Sequence, residues 1–280
     1  MTKSGITTSY LIELSPEEMV VKFSEAKWNN LELSSEHSET LLERGDPLVV
    51  GKEFNKFAEQ YGVDFPQGHL WLSCDLAEGS KDEKIGILKR WLDLYMALEI
   101  KAAVLHPGGW KKMKSGEWNL EQSIMTNGQM LRILTEHIKG SDLYICLENI
   151  PPFVPEIEDV KAIIDEAGCN NIGICLDTGH LHLSSGDQIG FIRAAGKYLR
   201  ALHIQDNLGK KRGEDDHIAP YGLGTIEWNN VIKGLKEINY EGLFALEISG
   251  ERKCPMPVKI SKLSYLKFMA DYMVNQISKE

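Results

Sequence analysis

Short apolar runs alternate with longer helical stretches along this chain, and that alternation constrains its fold more than any other feature. The runs fall near Ile6-Thr7-Thr8, Leu31-Glu32-Leu33, Asp64-Phe65, Ala102-Ala103-Val104-Leu105, Tyr144-Ile145-Cys146-Leu147, Ile172-Gly173-Ile174-Cys175-Leu176, Ala201-Leu202-His203-Ile204 and Leu243-Phe244-Ala245-Leu246. Helices are predicted between and after them, over 16–27, 51–61, 84–99, 120–139, 156–166, 187–195, 228–238 and 258–276. Pro16 stands where a first helical turn tolerates proline, and Gly168 and Gly196 stand where helices should stop. Strands alternating with helices read as βα units and a parallel sheet. Eight units suggest closure into a barrel, which takes about 250 residues. The chain has 280. The expected fold is therefore one (β/α)₈ TIM barrel domain over residues 1–280. An open doubly wound sheet would need a glycine-rich phosphate loop after the first strand, and none is present.

Composition narrows the class further. Hydrophobic residues are 42% and charged residues 26%, ordinary for a chain that buries a full core. No apolar run approaches the roughly 18 residues of a membrane span, and the N-terminal segment lacks the apolar core of a signal peptide. A cytoplasmic location is the expectation. The cysteines, Cys74, Cys146, Cys169, Cys175 and Cys254, form no C-x-x-C pair and read as reduced thiols. Lys plus Arg is 31 against 41 Asp plus Glu, a net charge of −10, which disfavours long-range attraction to nucleic acid or anionic membrane. Two basic runs, Lys111-Lys112-Met113-Lys114 and Lys210-Lys211-Arg212, read first as solvated loops.

The chemistry lies where polar residues meet the strand ends, because the C-terminal ends of barrel strands and the loops beyond them converge on one ligand-binding face. Glu148 follows Tyr-Ile-Cys-Leu, Asp177 follows Ile-Cys-Leu, His203 follows Ala-Leu, and Glu247 follows Phe-Ala-Leu. Any one of them alone reads equally well as a helix cap, an ion-pair partner or a core histidine. Four unpaired buried charges would each cost several kcal/mol, and a single bound cation compensates all four. Of the eight histidines, His69, His106, His180, His203 and His217 lie at strand ends or just beyond. His37 is placed to join them after the second strand, His137 reads as a helix-surface residue, and His182 competes with His180 for one ligand.

The segments Leu105-His-Pro-Gly108, Cys146-Leu-Glu-Asn149, Cys175-Leu-Asp-Thr-Gly-His180, Leu202-His-Ile-Gln-Asp206 and Leu246-Glu-Ile248 resemble the xylose-isomerase-like barrel superfamily, in order and over nearly the whole chain. That group holds sugar and sugar-phosphate isomerases and epimerases, and also AP endonucleases of the endonuclease IV type. The resemblance implies one divalent ion on Glu148, Asp177, His203 and Glu247. It also implies that Glu148 and Glu247 flank the substrate and exchange a proton between adjacent carbons. An oxygen-rich set with one imidazole suits Mn²⁺, Mg²⁺ or Co²⁺, and Zn²⁺ is compatible. His180 resembles a residue that bonds substrate oxygens near the metal, with orientation of Asp177 as its alternative. His106 and His69 are further substrate-binding candidates. Arg212 or Lys211 is a candidate for holding a phosphate or distal hydroxyl, and Trp71, Trp110 and Tyr221 for walling the pocket.

The endonuclease branch uses more ligands for a three-zinc cluster, and His69, His106, His180, Asp215 and His217 match them. That makes a multi-zinc phosphodiesterase acting on abasic DNA the rival reading. Against it stand the Asn-Ile-Pro-Pro run after Glu148, a segment after His217 one residue longer than expected, and the acidic net charge, so nucleic acid is the disfavoured partner. Lyase or dehydratase activity on a keto-sugar or inositol ring is compatible too. A metal-stabilised binding protein without turnover is a third class. The expected partner is a small-molecule sugar or sugar phosphate, with no membrane. A homo-oligomer is compatible with the sequence, dimers and tetramers being common assemblies.

Overall fold

The computed structural model describes residues 1–210, 212, 217–248, 250 and 253–278. Eight parallel strands follow one another around a closed barrel: β1 (Lys3–Thr7), β2 (Asn30–Leu33), β3 (Asp64–His69), β4 (Ala102–Leu105), β5 (Tyr144–Glu148), β6 (Ile172–Asp177), β7 (Leu199–Ile204) and β8 (Leu243–Leu246). The ring closes by pairing of β1 with β8, Lys3 opposite Leu243 and Ile6 opposite Leu246. Each apolar run read from the sequence lies in or overlaps one of these strands. No helix among the described residues is long and apolar enough to cross a membrane.

The connecting helices are α1 (Pro16–Glu25), α2 (Ser35–Leu42), α3 (Pro47–Gln60), α4 (Lys81–Ala97), α5 (Trp110–Ser115), α6 (Leu120–His137), α7 (Ile157–Ala167), α8 (Thr178–His182), α9 (Gln188–Ala195), α10 (Trp228–Glu237) and α11 (Met256–Ser278). Local chemistry sets their ends. Ser15 and Glu18 form a capping box before α1, Asp46 accepts from the amides of Leu48 and Val49 at α3, and Gly168 ends α7 at φ +59°. Three helices, α2, α5 and α8, were not expected from the sequence. They are short, and those at α2 and α8 start on the side chains of Ser34 and Asp177 rather than on a long apolar stripe.

Side-chain alternation along the strands builds two separate layers. One set, with Leu105, Ile145, Leu147, Ile174, Leu176, Leu202 and Ile204, belongs to the large core shared with the helices. The opposite set, Ala102, Val104, Cys146, Cys175 and Ala201, packs inside the barrel. Two residues further along these same inward faces come His106, Glu148, Asp177 and His203, and Glu247 stands in the same relation to the buried Ala245. Strand parity thus delivers the polar residues to a common mouth above a floor of small side chains.

Helices α6 and α7 meet at Gly128, where a Cβ would come within 3.1 Å of the Ala167 backbone nitrogen. Glycine inside a helix is normally unfavourable, and here it permits the approach. Gly128→Val should lower stability by about 1–3 kcal/mol through overpacking, read as a lower urea midpoint. An unchanged midpoint would show that this helix pair has room to spare.

Candidate metal centre

Glu148 and Asp177 are the last residues of β5 and β6, His203 stands opposite Asp177 in β7, and Glu247 directly follows β8, its amide donating to the Ile204 carbonyl at 3.0 Å. The structure brings all four together: one ligating atom from each lies within 4.8 Å of the other three. His203 Nδ1 is 3.1 Å from Glu148 Oε2 and 3.3 Å from Glu247 Oε2. Glu148, Asp177 and His203 are buried, and Glu247 is partly open to solvent. Despite these short separations, Glu148 Oε2 and His203 Nδ1 are buried with no hydrogen-bond partner. Unpaired buried polar atoms are costly, and a cation among these lone pairs would satisfy both. The donor set therefore fits a divalent ion.

Residues behind the cluster fix its orientation. His203 Nε2 donates to Glu32 Oε2 at 2.8 Å, which leaves Nδ1 as the free nitrogen facing Glu148 and Glu247. Glu32, buried in β2, is in turn held by the Gln67 amide, which also donates to the Leu202 carbonyl at 3.2 Å. Asp177 Oδ1 accepts from the His180 amide at 2.6 Å, so Asp177 caps α8 as well as facing the cluster. Gln205 donates to both Asp177 oxygens, at 3.2 and 3.3 Å, and Asn149 exchanges two hydrogen bonds with the Asp177 backbone, at 2.8 and 3.1 Å. The sequence reading passed over Glu32, Gln67 and Gln205. Glu32 stands one residue before the end of its apolar run, as His203 does, and that position could have found it.

The other histidines divide. His69 Nδ1 donates to the Leu70 carbonyl at 2.8 Å, and its Nε2 lies 3.3 Å from His106 Nε2. His106 Nε2 is 3.2 Å from Glu148 Oε2, and His69, His106 and Glu148 form a second group able to hold a cation, sharing Glu148 with the first. His180 lies 3.1 Å from Glu148 Oε1, but the same nitrogen donates to the Asn149 carbonyl at 3.0 Å. His217 approaches Glu247 only to 3.9 Å. His37 does not join the mouth: buried in α2, it uses both ring nitrogens on Thr8 and the Leu14 carbonyl. His182 bonds Thr225, and His137 bonds Asp93.

Arg212 is exposed in a turn of the β7–α10 loop, while Lys211 and Asp215 lie outside the described residues. Trp110 stands beside the site, whereas Trp71 packs on the core and Tyr221 meets Tyr272 edge to face. Lys111 and Lys112 are paired with Glu78 and Glu117, as expected of a solvated run.

Electrostatics separate the two glutamates. Burial raises both carboxyls. For Glu148 the charges of His203 and His106 outweigh burial, and it is held well below the usual carboxylate range. For Glu247 burial combines with the nearby charges of Glu148, Asp177 and Glu32, against the opposing pull of His203, and it is pushed well up. Burial lowers His203, but the carboxylates around it, Glu247, Glu32 and Glu148, lift it well above the ordinary imidazole value. Burial pushes the Cys175 thiol well up, so it faces the cluster as a neutral group.

A model of the xylose isomerase-like TIM barrel family matches residues 28–266. The chain belongs to that family. Within this xylose isomerase-like family, D-psicose 3-epimerase of Enterocloster bolteae is 31% identical over 121 residues, 42% of this chain and 37% of that protein. A probable endonuclease 4 of Metamycoplasma arthritidis is 23% identical over 251 residues, covering 83% of this chain and 80% of that one. The chain spans 58% and 37% of the lengths of the first curated relatives it matches. The solved 3-keto-D-glucoside 4-epimerase of E. coli superposes with a TM-score of 0.76 at 14% identity, over 96% of this chain and 100% of that one. That likeness speaks for the fold.

Two measurements follow from this geometry. Glu32→Ala should weaken Mn²⁺ binding about 10–100-fold by releasing His203, and His203→Ala should weaken it more than His180→Ala. Equal losses at His203 and His180 would remove His203 from the ligand set. Because the raised groups Glu247 and His203 hold protons that a cation must displace, Mn²⁺ affinity should rise with pH until their pKa values are passed. Calorimetry in buffers of different ionisation enthalpy should record proton release. Affinity that is flat with pH would contradict this assignment.

Proposed function

We propose that the protein is a divalent-metal-dependent isomerase or epimerase of sugars or sugar phosphates, working by proton transfer through an enediolate. The observation that carries this reading is the convergence of Glu148, Asp177, His203 and Glu247 on one space, with two carboxylates among them. Relatives named as sugar epimerases support it.

Glu148, Asp177, His203 and Glu247 would hold the ion, which supplies Lewis acidity toward a carbonyl and its neighbouring hydroxyl. One of Glu148 and Glu247 takes the proton from the carbon beside the carbonyl, and the other returns it, on the opposite face or on the next carbon. His180 and His106, both within 3.2 Å of Glu148, are placed to hold substrate oxygens at the rim. Glu32, through His203, and Gln205, through Asp177, keep the carboxylates and imidazole aimed inward. For a phosphorylated sugar, Arg212 or Lys211 is the candidate anchor, and of the two Arg212, among the described residues, is exposed.

A second reading rests on the group formed by His69, His106 and Glu148. Two cations sharing Glu148 would suit in-line attack on a phosphodiester, as in a multi-zinc enzyme on abasic DNA. The probable endonuclease 4 relative favours it, and the net charge of −10 opposes it.

Glu148→Gln and Glu247→Gln should each lower solvent-deuterium exchange into the α-carbon of an accepted ketose by about 10²–10⁴-fold, with unchanged circular dichroism. Elemental analysis should find close to one divalent ion per chain. About three ions per chain, with nicking of abasic duplex, would establish the second reading instead.

A further inference from the structure

Beside the metal cluster, above the ends of β3 to β6, lies a cleft of about 700 Å³. His106 and His180 line it, and both also lie within 3.2 Å of Glu148, so the cleft adjoins the candidate site. Its walls are apolar, with Leu72, Trp110, Ile150 and Phe153 among them. Leu72 and Trp110 remain 47% and 41% exposed, large apolar side chains left facing solvent beside a polar centre. Charge at the edge is only partly engaged, since Asp75 Oδ2 is buried with no hydrogen-bond partner. Lys111 pairs with Glu78 at 2.7 Å, and Asp75 Oδ1 accepts from the amides of Gly109 and Ala77 at 2.6 and 2.9 Å.

The rim is built rather than left loose. Asn127 brackets Gly108, accepting from its amide at 2.8 Å and donating to its carbonyl at 2.9 Å, and Ser123 donates to the same carbonyl at 3.1 Å. A Cβ at Gly108 would run into the Leu76 backbone, and Gly109 turns at φ +100° to start α5 with Trp110. This buried network fixes the turn that presents the Trp110 ring.

Clefts of about 300–1,000 Å³ typically enclose drug-sized ligands on apolar walls with a few polar anchors. None of Glu148, Asp177, His203 and Glu247 lines this cleft, so a sugar held on those four would leave its apolar wall free for a further group. We propose that the cleft is a subsite for an apolar, planar aglycone joined to the sugar, so that the substrate is an aryl glycoside. This rests on the sugar reading above. A glycosidic bond holds the sugar ring closed, so the carbonyl must then be a ring ketone beside a free hydroxyl. Proton exchange between those two carbons leaves the aglycone bond intact.

Binding and turnover are tested separately. Calorimetry with metal-loaded protein compares 4-nitrophenyl β-D-glucoside with methyl β-D-glucoside, which need no turnover to report on the cleft. The aryl compound should bind about 10-fold or more tightly. Trp110→Ala, or Leu72→Ser as a second surface variant, should remove that preference and leave the methyl compound unchanged. This result supports the subsite even if no keto-sugar exchanges a proton, an outcome that would count against the isomerase reading alone. Equal affinity for the two glucosides overturns the subsite even if free ketoses are turned over. So does equal affinity with an assembly that Trp110→Ala dissociates in light scattering, since a second copy of the chain would then cover the cleft.

Discussion

Like charges crowded into a low-dielectric space govern this structure. Glu32, Glu148, Asp177 and Glu247 surround the imidazole of His203 in the barrel mouth, with His69, His106 and His180 also beside Glu148. Without a counter-charge, each buried carboxylate carries a desolvation penalty of several kcal/mol. Burial raises both Glu148 and Glu247, but the charges of His203 and His106 hold Glu148 down while those of Glu148, Asp177 and Glu32 push Glu247 further up. A divalent cation held among them would supply a fixed counter-charge. The neighbours Glu32, Gln67, Gln205 and Asn149 then read as parts that keep the donors aimed whether or not a cation is present.

Much of this was legible in the sequence because apolar runs and strand parity carry it. Short continuous apolar runs made the strands visible, and the residues two positions beyond Cys146, Cys175, Ala201 and Ala245 are the four that meet. Glu32 was missed because its three-residue run is weak by itself, although His203 holds the same penultimate place in its own strand. Gln205 and Gln67 gave no signal, because an amide in a buried position looks like any other polar residue until its partner across the barrel is known. His37 shows the converse. Its place after a strand suggested the mouth, but Thr8 and Leu14, brought near it by the closure of the barrel, claim both nitrogens. Short helices such as α2 and α8 were hidden because a side-chain cap and tertiary contacts support them, not an amphipathic stripe.

Family membership and site chemistry answer different questions. The xylose isomerase-like barrel carries both sugar epimerases and endonucleases among the relatives matched here, so fold does not choose between them. The choice rests on how many cations the mouth holds and on the surface beside it. His69 and His106 supply the means for a second cation on Glu148. The apolar wall presented by Trp110 and Leu72 suits a small ligand with an apolar substituent better than a phosphate backbone.

The most direct test of the central claim is an anomalous difference map at the manganese edge, from crystals grown with Mn²⁺. The account predicts one dominant peak about 2.0–2.3 Å from an atom of each of Glu148, Asp177, His203 and Glu247. A map with no peak among those four groups, or with density only between His69 and His106, would contradict it.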